Sequence, residues 1–479
     1  MASRLKSAGL GIVSPREGSY TEAVLRPRGE RRMLRPTLRR LLCSPLAIAC
    51  VALLFRLIFL YLAWRIPGGL TDAVGPYGYE VGRVAKSIVE GKGFSSPLPF
   101  FETGPTAWLC PIYPYIVAAI FKVWGIYTVK SHVILQALNC LFSALTIFPI
   151  YAIAKRSFGA GAAVLAAWLW VFLPSAWHMP IQYVWDTTLS ALWFALIFWA
   201  TLAIRERRTL LEWAGYGALW AIGALINASF LSVFPFLFVW LAWETRKQPS
   251  RGRSIAIALV VFGLGITPWT VRNYQAFGKL IPLRNNAGIM LWHGNNPIAP
   301  GLDSFSLAPF LYQPEADDYK RLGEVAYMEK KQGEAIAFIR SHPAETLGLF
   351  FHRFWTNWFS VTDRPNASWR GSPRYVKAYF FLNAAMILSS WLGAGLALRT
   401  GNRDAAAYLI VLLFYPLVYY VTATLLRYRF PIDPLLTILA VYGGSAMLLL
   451  GRGEKLESRA PILKFIEPVT PAHPIQRGE

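Results

Sequence analysis

Acidic side chains mark the ends of apolar segments in the first half of the chain. Glu80 and Glu102 lie in a polar stretch, residues 77–114, between two strongly apolar runs, and Asp186 follows a later apolar run. A carboxylate held beside a bound substrate can accept the proton of an attacking hydroxyl. Irregular backbone between membrane spans must lie in water, against protein or beside a cavity. We therefore predict that this stretch forms half of an active site facing away from the cytoplasm.

Each acid also has a simpler structural explanation, and the sequence alone leaves both open. Asp186 precedes T-T-L at the start of an apolar run, where Asp is a favoured N-cap. Glu80 stands three residues before Arg83 and could pair with it on a helix surface. Glu102 lies among aromatic residues, where burial requires a partner or a ligand.

Arginines at the same boundaries run against the charge pattern of the chain. The formal net charge is +22, and most cations cluster in short segments between apolar runs, which is the positive-inside pattern of cytoplasmic loops. Arg272, Arg427 and Arg429 fall on the other side and need anionic partners there. Guanidinium groups bind phosphate oxygens through parallel hydrogen bonds, so a lipid-linked phosphate is one candidate; snorkelling to lipid headgroups is the alternative. In extended backbone Arg427 and Arg429 would share a face, whereas a helix would separate them.

The composition predicts an all-α polytopic membrane protein. The 479 residues are 55% hydrophobic and 15% charged, with a mean hydropathy of +0.39, whereas soluble domains carry about 25% charged residues. The apolar runs predict about ten transmembrane helices. The basic residues sit in membrane-flanking loops, so we expect no nucleic-acid partner. Motifs for nucleotide binding and for H-E-x-x-H zinc sites are absent from the sequence, and the four cysteines have no metal or disulfide spacing.

The order of apolar and polar segments predicts the organisation of the chain, with both termini in the cytoplasm. Within the first membrane module, the run 112–124 is short and is predicted to be interfacial or re-entrant. Residues 316–340 have the pattern of an amphipathic helix or helix pair. The predicted parts are a basic disordered tail (1–42), a membrane module (43–271) with a first outer loop (65–130), an outer helical segment (272–373), C-terminal transmembrane helices (374–452) and a cytoplasmic tail (453–479).

Several stretches resemble the GT-C membrane glycosyltransferases that use polyprenyl-phosphate sugars. The similarity is greatest to the bacterial branch related to protein O-mannosyltransferases and aminoarabinose transferases. Together the stretches reach from the first span to the last. They are Y-E-V-G-R-V-A-K-S-I-V-E-G-K-G-F (79–94), G-P-T-A-W-L-C-P-I-Y-P (104–114), P-W-T-V-R-N-Y-Q-A-F-G (268–278), G-N-N-P (294–297) and R-Y-R-F-P-I-D-P (427–434).

The resemblance implies a GT-C bundle with juxtamembrane helices in the first outer loop and roles for individual residues. Glu80 matches the acid of the first outer loop, where the family often has an Asp-Glu pair but this chain has Tyr79 before it. Asp186 matches the acid of the next outer loop. Glu102 resembles a glutamate that helps to hold a divalent metal ion. The residues expected to bind substrate are Arg83, Arg272, His293, Asn295, Arg353, Arg427, Tyr428 and Arg429.

The leading hypothesis is an inverting glycosyltransferase in a bacterial inner membrane, with its active site on the periplasmic side. The donor would be a polyprenyl-phosphate sugar, and the acceptor a hydroxyl of a lipid, a glycan or a protein. The alternative is a transporter or flippase of a lipid-linked saccharide, which predicts polar residues in mid-membrane and repeated halves. A purely structural membrane anchor does not account for two large outer segments.

Overall fold

The computed structural model describes residues 36–66, 77–297, 306–360 and 374–451. The predicted C-terminal tail 453–479 and most of the predicted N-terminal tail lie outside the described residues. Residues at the end of that N-terminal tail form a short helix. Its C-terminal turn is fixed by the Trp168 indole, which donates to the Leu42 carbonyl at 2.9 Å.

All the regular elements in the described ranges are helices, as the composition predicts. The first module contains α1 (Pro36–Cys43), α2 (Pro45–Arg65), α3 (Tyr79–Val89), α4 (Ile112–Trp124), α5 (Val129–Leu145), α6 (Ile147–Phe158), α7 (Ala160–Phe172), α8 (Pro174–Gln182), α9 (Thr187–Ile204), α10 (Leu210–Ile226), α11 (Phe234–Glu244) and α12 (Arg251–Phe277). The second part contains α13 (Ala287–Gly294), α14 (Gln313–Leu322), α15 (Glu324–Ser341), α16 (Pro343–Phe359), α17 (Arg374–Arg399), α18 (Ala405–Phe414), α19 (Leu417–Val421), α20 (Leu426–Arg429) and α21 (Asp433–Leu450).

The predicted membrane spans appear as helices, but several are short. Six helical segments of the described chain are long and apolar enough to cross a bilayer, and the bent pair α7–α8 adds a seventh. The other predicted spans correspond to α10, α11 and the pair α18–α19, which are shorter apolar helices. The predicted short helix 112–124 is α4, and the predicted amphipathic pair is α14 and α15.

The C-terminal helices α17 and α21 pack with close backbone contact. A Cβ added to Gly393 would stand 2.2 Å from the carbonyl oxygen of Leu439, and one added to Gly443 would stand 2.1 Å from that of Ser389. Small residues at such a crossing let two apolar helices approach where the hydrophobic effect does not drive association. These glycines therefore hold the last two long helices together.

The basic loops meet at one end of the helix bundle. Arg205 forms an ion pair with buried Asp404, and Arg403 lies 3.3 Å from Glu244. Arg205 directly follows α9, which has 18 residues and is therefore about 27 Å long. Asp186 occupies the N-cap position at the other end of this helix. The predicted acids and the basic loops are thus separated by roughly the thickness of a bilayer core.

Candidate active site

A cavity of about 520 Å³ lies where the first outer loop meets the C-terminal helices. Two acids and two arginines from distant parts of the chain line it: Glu80, Asp186, Arg284 and Arg427. Aromatic side chains also line its wall, as in many sites that bind organic ligands. The aromatic lining residues are Tyr79, Trp108, Tyr183, Trp185, Phe310, Tyr419 and Tyr428.

Aromatic stacking joins the two segments that carry the acids. Tyr79 begins α3, and its ring stacks on Trp185 with centroids 5.5 Å apart and planes 22° apart. Glu80 follows Tyr79, and Asp186 follows Trp185. Because the neighbours of both acids are in contact, the loop and the start of α9 present their carboxylates to one cavity.

Glu80 is a buried carboxylate with an unused oxygen. The residue is 7% exposed, and no hydrogen bond in the described structure reaches its Oε2. Burial raises the pKa of Glu80 above its ordinary value, while its own backbone N–H and then Arg427 and Arg83 oppose that rise. A carboxylate with a raised pKa and a free acceptor atom is suited to take a proton from a bound hydroxyl.

Asp186 is fixed by side-chain hydrogen bonds rather than by a capping bond to the backbone of α9. It occupies the N-cap position of α9, but its side chain makes no capping bond. Ser190 Oγ donates to Asp186 Oδ2 at 2.9 Å, and Asn227 Nδ2 donates to the same atom at 3.1 Å. Burial raises the pKa of Asp186, and the Ser190 bond, Arg284 and Arg427 oppose the rise.

Two arginines supply positive charge to the cavity. The Arg427 guanidinium lies over the Trp185 ring at 4.1 Å from the centroid, a cation–π geometry. Arg284 Nη2 lies 3.4 Å from Ser229 Oγ. Arg284 was not among the site residues predicted from the sequence. The argument used for Arg272, a cation beyond the end of a membrane span on the side away from the basic loops, applies to it equally.

The R-Y-R motif divides its two arginines between cavity and core. Residues 426–429 form the short helix α20, so the helical alternative holds and the arginines point apart. Arg427 lines the cavity together with Tyr428. Arg429 is 2% exposed and donates to Asp433 Oδ1 at 2.9 Å and to the Trp358 carbonyl at 2.6 Å.

Arg272 lies behind the cavity wall. It donates to the carbonyl oxygens of Thr106 and Phe94, both at 2.6 Å, and so fixes the first outer loop to the end of α12. Arg83 stands one helical turn after Glu80 and is partly buried, and its charge opposes the rise in the pKa of Glu80. Neither arginine lines the cavity.

The remaining expected substrate-binding residues form a packed layer under the α19 region. Arg353 is 2% exposed and donates to the Tyr420 carbonyl at 2.7 Å. Asn295 Nδ2 donates to the Val421 carbonyl at 2.9 Å, and His293 is fully buried at the end of α13. Arg353 and Asn295 thus hold backbone that leads to the cavity. None of the three residues lines it.

Glu102 lies apart from the cavity acids. Its side chain is 70% exposed and forms an ion pair with Lys92. In the described ranges no group of three or more His, Cys, Asp or Glu side chains could hold a metal ion. The arrangement around Glu102 therefore does not fit a metal site, because a bound divalent ion takes several oxygen or nitrogen ligands.

Fold and cavity define a helical membrane protein with an acid- and arginine-lined site at one end of its bundle. A protein-family profile described as "Dolichyl-phosphate-mannose-protein mannosyltransferase" matches residues 106–271. The match covers less than half of the chain, and it shows that this segment is similar to a family of mannosyltransferases. A comparison with curated protein sequences gives no match.

Solved structures show weaker likenesses. The oligosaccharyltransferase of Archaeoglobus fulgidus, in complex with Zn and sulfate, is 15% identical over 78% of this chain with a TM-score of 0.47; the chain spans only 45% of that protein. ArnT from Cupriavidus metallidurans, bound to undecaprenyl phosphate, is 12% identical over 79% of this chain and 75% of its own, with a TM-score of 0.33. Its apo form has a TM-score of 0.32, with 12% identity over 78% of this chain and 74% of its own.

Proposed function

We propose that the chain transfers a sugar from a polyprenyl-phosphate donor to an acceptor hydroxyl, with inversion at the anomeric carbon. The observation that carries this proposal is the convergence of Glu80, Asp186, Arg284 and Arg427 in one cavity. The acids match those that the resemblance assigns to the reaction. The arginines can bind the phosphate of the donor, since guanidinium and phosphate form charge-assisted hydrogen bonds.

In the proposed step, Glu80 Oε2 accepts the proton of the acceptor hydroxyl. The hydroxyl oxygen forms a bond to the anomeric carbon as the bond from that carbon to the phosphate oxygen breaks. The polyprenyl phosphate leaves with the bonding electrons, and Arg427 and Arg284 stabilise its growing negative charge. Asp186, fixed by Ser190 and Asn227, orients the acceptor or the sugar. Glu102, which lies apart from the cavity acids in an ion pair with Lys92, takes no part in this step.

The charge distribution supports an active site away from the cytoplasm. The basic loops around Arg205 and Arg403 lie at the other end of α9 from Asp186. Cytoplasmic loops of membrane proteins carry an excess of Lys and Arg. The cavity then faces the periplasm if, as the resemblance to the bacterial branch suggests, the membrane is a bacterial inner membrane. Both termini would lie in the cytoplasm.

Sugar transfer in proteoliposomes tests the proposal. The purified full chain is given synthetic polyprenyl-phosphate sugars and a mixture of lipid, glycan and peptide acceptors. We expect Glu80→Gln and Asp186→Asn to lower kcat by about a hundredfold or more, the usual contribution of a positioned acid or base. Glu90→Gln is the matched control, because Glu90 ends the same helix in exposed ion pairs with Lys86 and Lys92.

The outcome also separates transfer from transport. Full activity of both variants would remove the proposed roles of the two acids. Movement of an intact lipid-linked saccharide across the bilayer, with no bond cleaved in any donor, would favour the transporter. An anomeric configuration retained in the product would contradict the single-displacement step.

A further inference from the structure

A buried arginine lies inside the first long span, away from the cavity. Arg56 belongs to α2 (Pro45–Arg65) and is fully buried. Its guanidinium donates to Ser143 Oγ at 3.0 Å and to three backbone carbonyls, and none of these acceptors is a carboxylate. Ionisable groups inside a membrane are unfavourable and usually have a specific role.

Two prolines explain why Arg56 donates to the carbonyls of Trp170 and Ala176. In an α-helix the carbonyl of residue i accepts the N–H of residue i+4. Trp170 and Ala176 lack that partner, because Pro174 and Pro180 carry no N–H. Arg56 Nη2 donates to the Trp170 carbonyl at 3.1 Å, and its Nε donates to the Ala176 carbonyl at 3.0 Å. The arginine thus supplies donors at the positions where the prolines remove them.

One face of α5 continues this set of hydrogen bonds along the same segment. Three polar residues of α5, spaced three and four apart, lie on one side of the helix and are fully buried. Each donates to a carbonyl of residues 176–183. The bonds run from Gln136 Nε2 to Ile181 O at 2.7 Å, from Asn139 Nδ2 to Tyr183 O at 3.0 Å and from Ser143 Oγ to Ala176 O at 2.6 Å.

Residues 176–183, whose carbonyls accept these hydrogen bonds, lead directly into the cavity. The broken pair α7–α8 bends by 44°, and its second helix ends at Gln182. Trp185, which contacts Arg427, and Asp186 follow within four residues. A bend without substitute donors would leave unpaired carbonyls in the membrane, each at a free-energy penalty. The position of Asp186 therefore depends on the groups that satisfy the bend.

We propose that Arg56 is a positioning residue: it holds the proline-broken span α7–α8 and thereby places Trp185 and Asp186 in the cavity wall. The link to catalysis rests on the proposed function, whereas the structural part stands without it. Each of the three guanidinium nitrogens of Arg56 donates to a protein acceptor.

Hydrogen exchange of the full chain in detergent tests the structural part without any donor. In Arg56→Met we expect the amides of residues 177–186 to exchange about tenfold faster than in wild type, the effect of losing one hydrogen bond from a charged donor. Arg56→Lys keeps a charged donor but lacks the planar fork, so it should restore part of the protection. The matched control is Arg65→Met, since Arg65 is the exposed arginine of the same helix.

A second control separates positioning from general stability. Asp404→Asn breaks the buried pair with Arg205 at the other end of the bundle and should leave exchange of 177–186 at the wild-type rate. Unchanged exchange of this segment in both Arg56 variants would overturn the proposal. So would equal acceleration of exchange over the whole chain in Arg56→Lys and Asp404→Asn.

Transfer kinetics give a separate readout of the link to catalysis. The kcat should decrease from wild type to Arg56→Lys and again to Arg56→Met. Absence of any transfer by the wild-type protein would contradict the proposed function and leave the exchange result intact.

Discussion

Gly78 lies against the backbone of Val184: a Cβ on Gly78 would stand 3.1 Å from the Val184 carbonyl oxygen. Each of these residues stands two positions before a cavity acid, Glu80 or Asp186. Gly78 also has a φ of +74°, which favours glycine. This contact sets the spacing between the two segments that carry the acids.

The contact predicts an effect of Gly78→Ala beyond backbone strain. Gly91 lies beyond the other end of α3 and has a φ of +79°, but no atom stands within 4 Å of a Cβ added to it. Gly91→Ala should therefore lower stability by about 1–2 kcal/mol and leave transfer unchanged. Gly78→Ala should show the same strain and in addition lower kcat by about ten- to a hundredfold, because it displaces one acid from the other. Thermal unfolding and transfer kinetics measure both; equal activity of the two variants would refute the role of the contact.

The pKa of Glu80 predicts the acidic limb of the pH–rate profile. Burial raises this pKa, so kcat/KM should fall as the pH drops through a value above that of an ordinary glutamate. Arg427 lowers the pKa of Glu80; Arg427→Gln should therefore move the limb to higher pH, apart from any loss in rate. The control is Arg246→Gln, because Arg246 lies over Trp243 in the basic loops. A limb that stays in place or moves to lower pH in Arg427→Gln would contradict the assignment.

Trp185 should matter mainly through its contact with Arg427. Trp185→Ala removes a cation–π contact worth about 0.5–2 kcal/mol, so KM for the donor should rise several-fold. Trp185→Phe keeps an aromatic ring and part of the contact, so its KM should rise less. Trp243→Ala is the comparison, since Trp243 makes the same kind of contact with Arg246 at 4.4 Å, away from the cavity. Donor titrations measure KM. An unchanged KM in Trp185→Ala would show that Arg427 holds its position without the ring.

Apolar runs and charge bias were enough to predict the helical membrane fold, because both are local properties of the sequence. The short helix α4 and the pair α14–α15 were also predicted from length and periodicity. The helices α10 and α11 were predicted as full crossings, but they have only 17 and 11 residues and are among the shorter apolar helices. Hydropathy marks an apolar run but does not show where proline or a turn ends the helix.

The site was harder to predict because its residues are far apart in sequence. Glu80, Asp186 and Arg427 carry the right chemistry at predicted membrane boundaries, and all three line the cavity. Arg353 and Arg429 looked the same in sequence. In the structure Arg353 donates to a backbone carbonyl and Arg429 donates to Asp433. Only tertiary packing separates the two groups, since each arginine is surrounded by similar aromatic sequence.

The outer segment also shapes the cavity, through a buried carboxylate that holds the first loop. Glu324 Oε1 accepts the Ala107 N–H at 2.8 Å, and Oε2 accepts the Thr106 Oγ1 and Tyr319 hydroxyls, the latter at 2.7 Å. Trp108, the next residue of the loop, lines the cavity. In Glu324→Gln one acceptor oxygen becomes a donor that faces other donors, so we expect a loss of about 1–3 kcal/mol in the free energy of unfolding.

This substitution should separate binding from chemistry. Trp108 forms part of the wall, whereas Glu80 and Asp186 are positioned by Tyr79 and Trp185, so Glu324→Gln should raise KM several-fold with little change in kcat. Glu329→Gln is the matched control, because Glu329 lies on the same helix in an exposed pair with Lys279. Initial rates over a range of donor concentrations distinguish the two parameters. A fall in kcat at constant KM would mean that the outer segment acts on the reacting groups themselves, because a movement confined to the wall changes binding of ground and transition states alike.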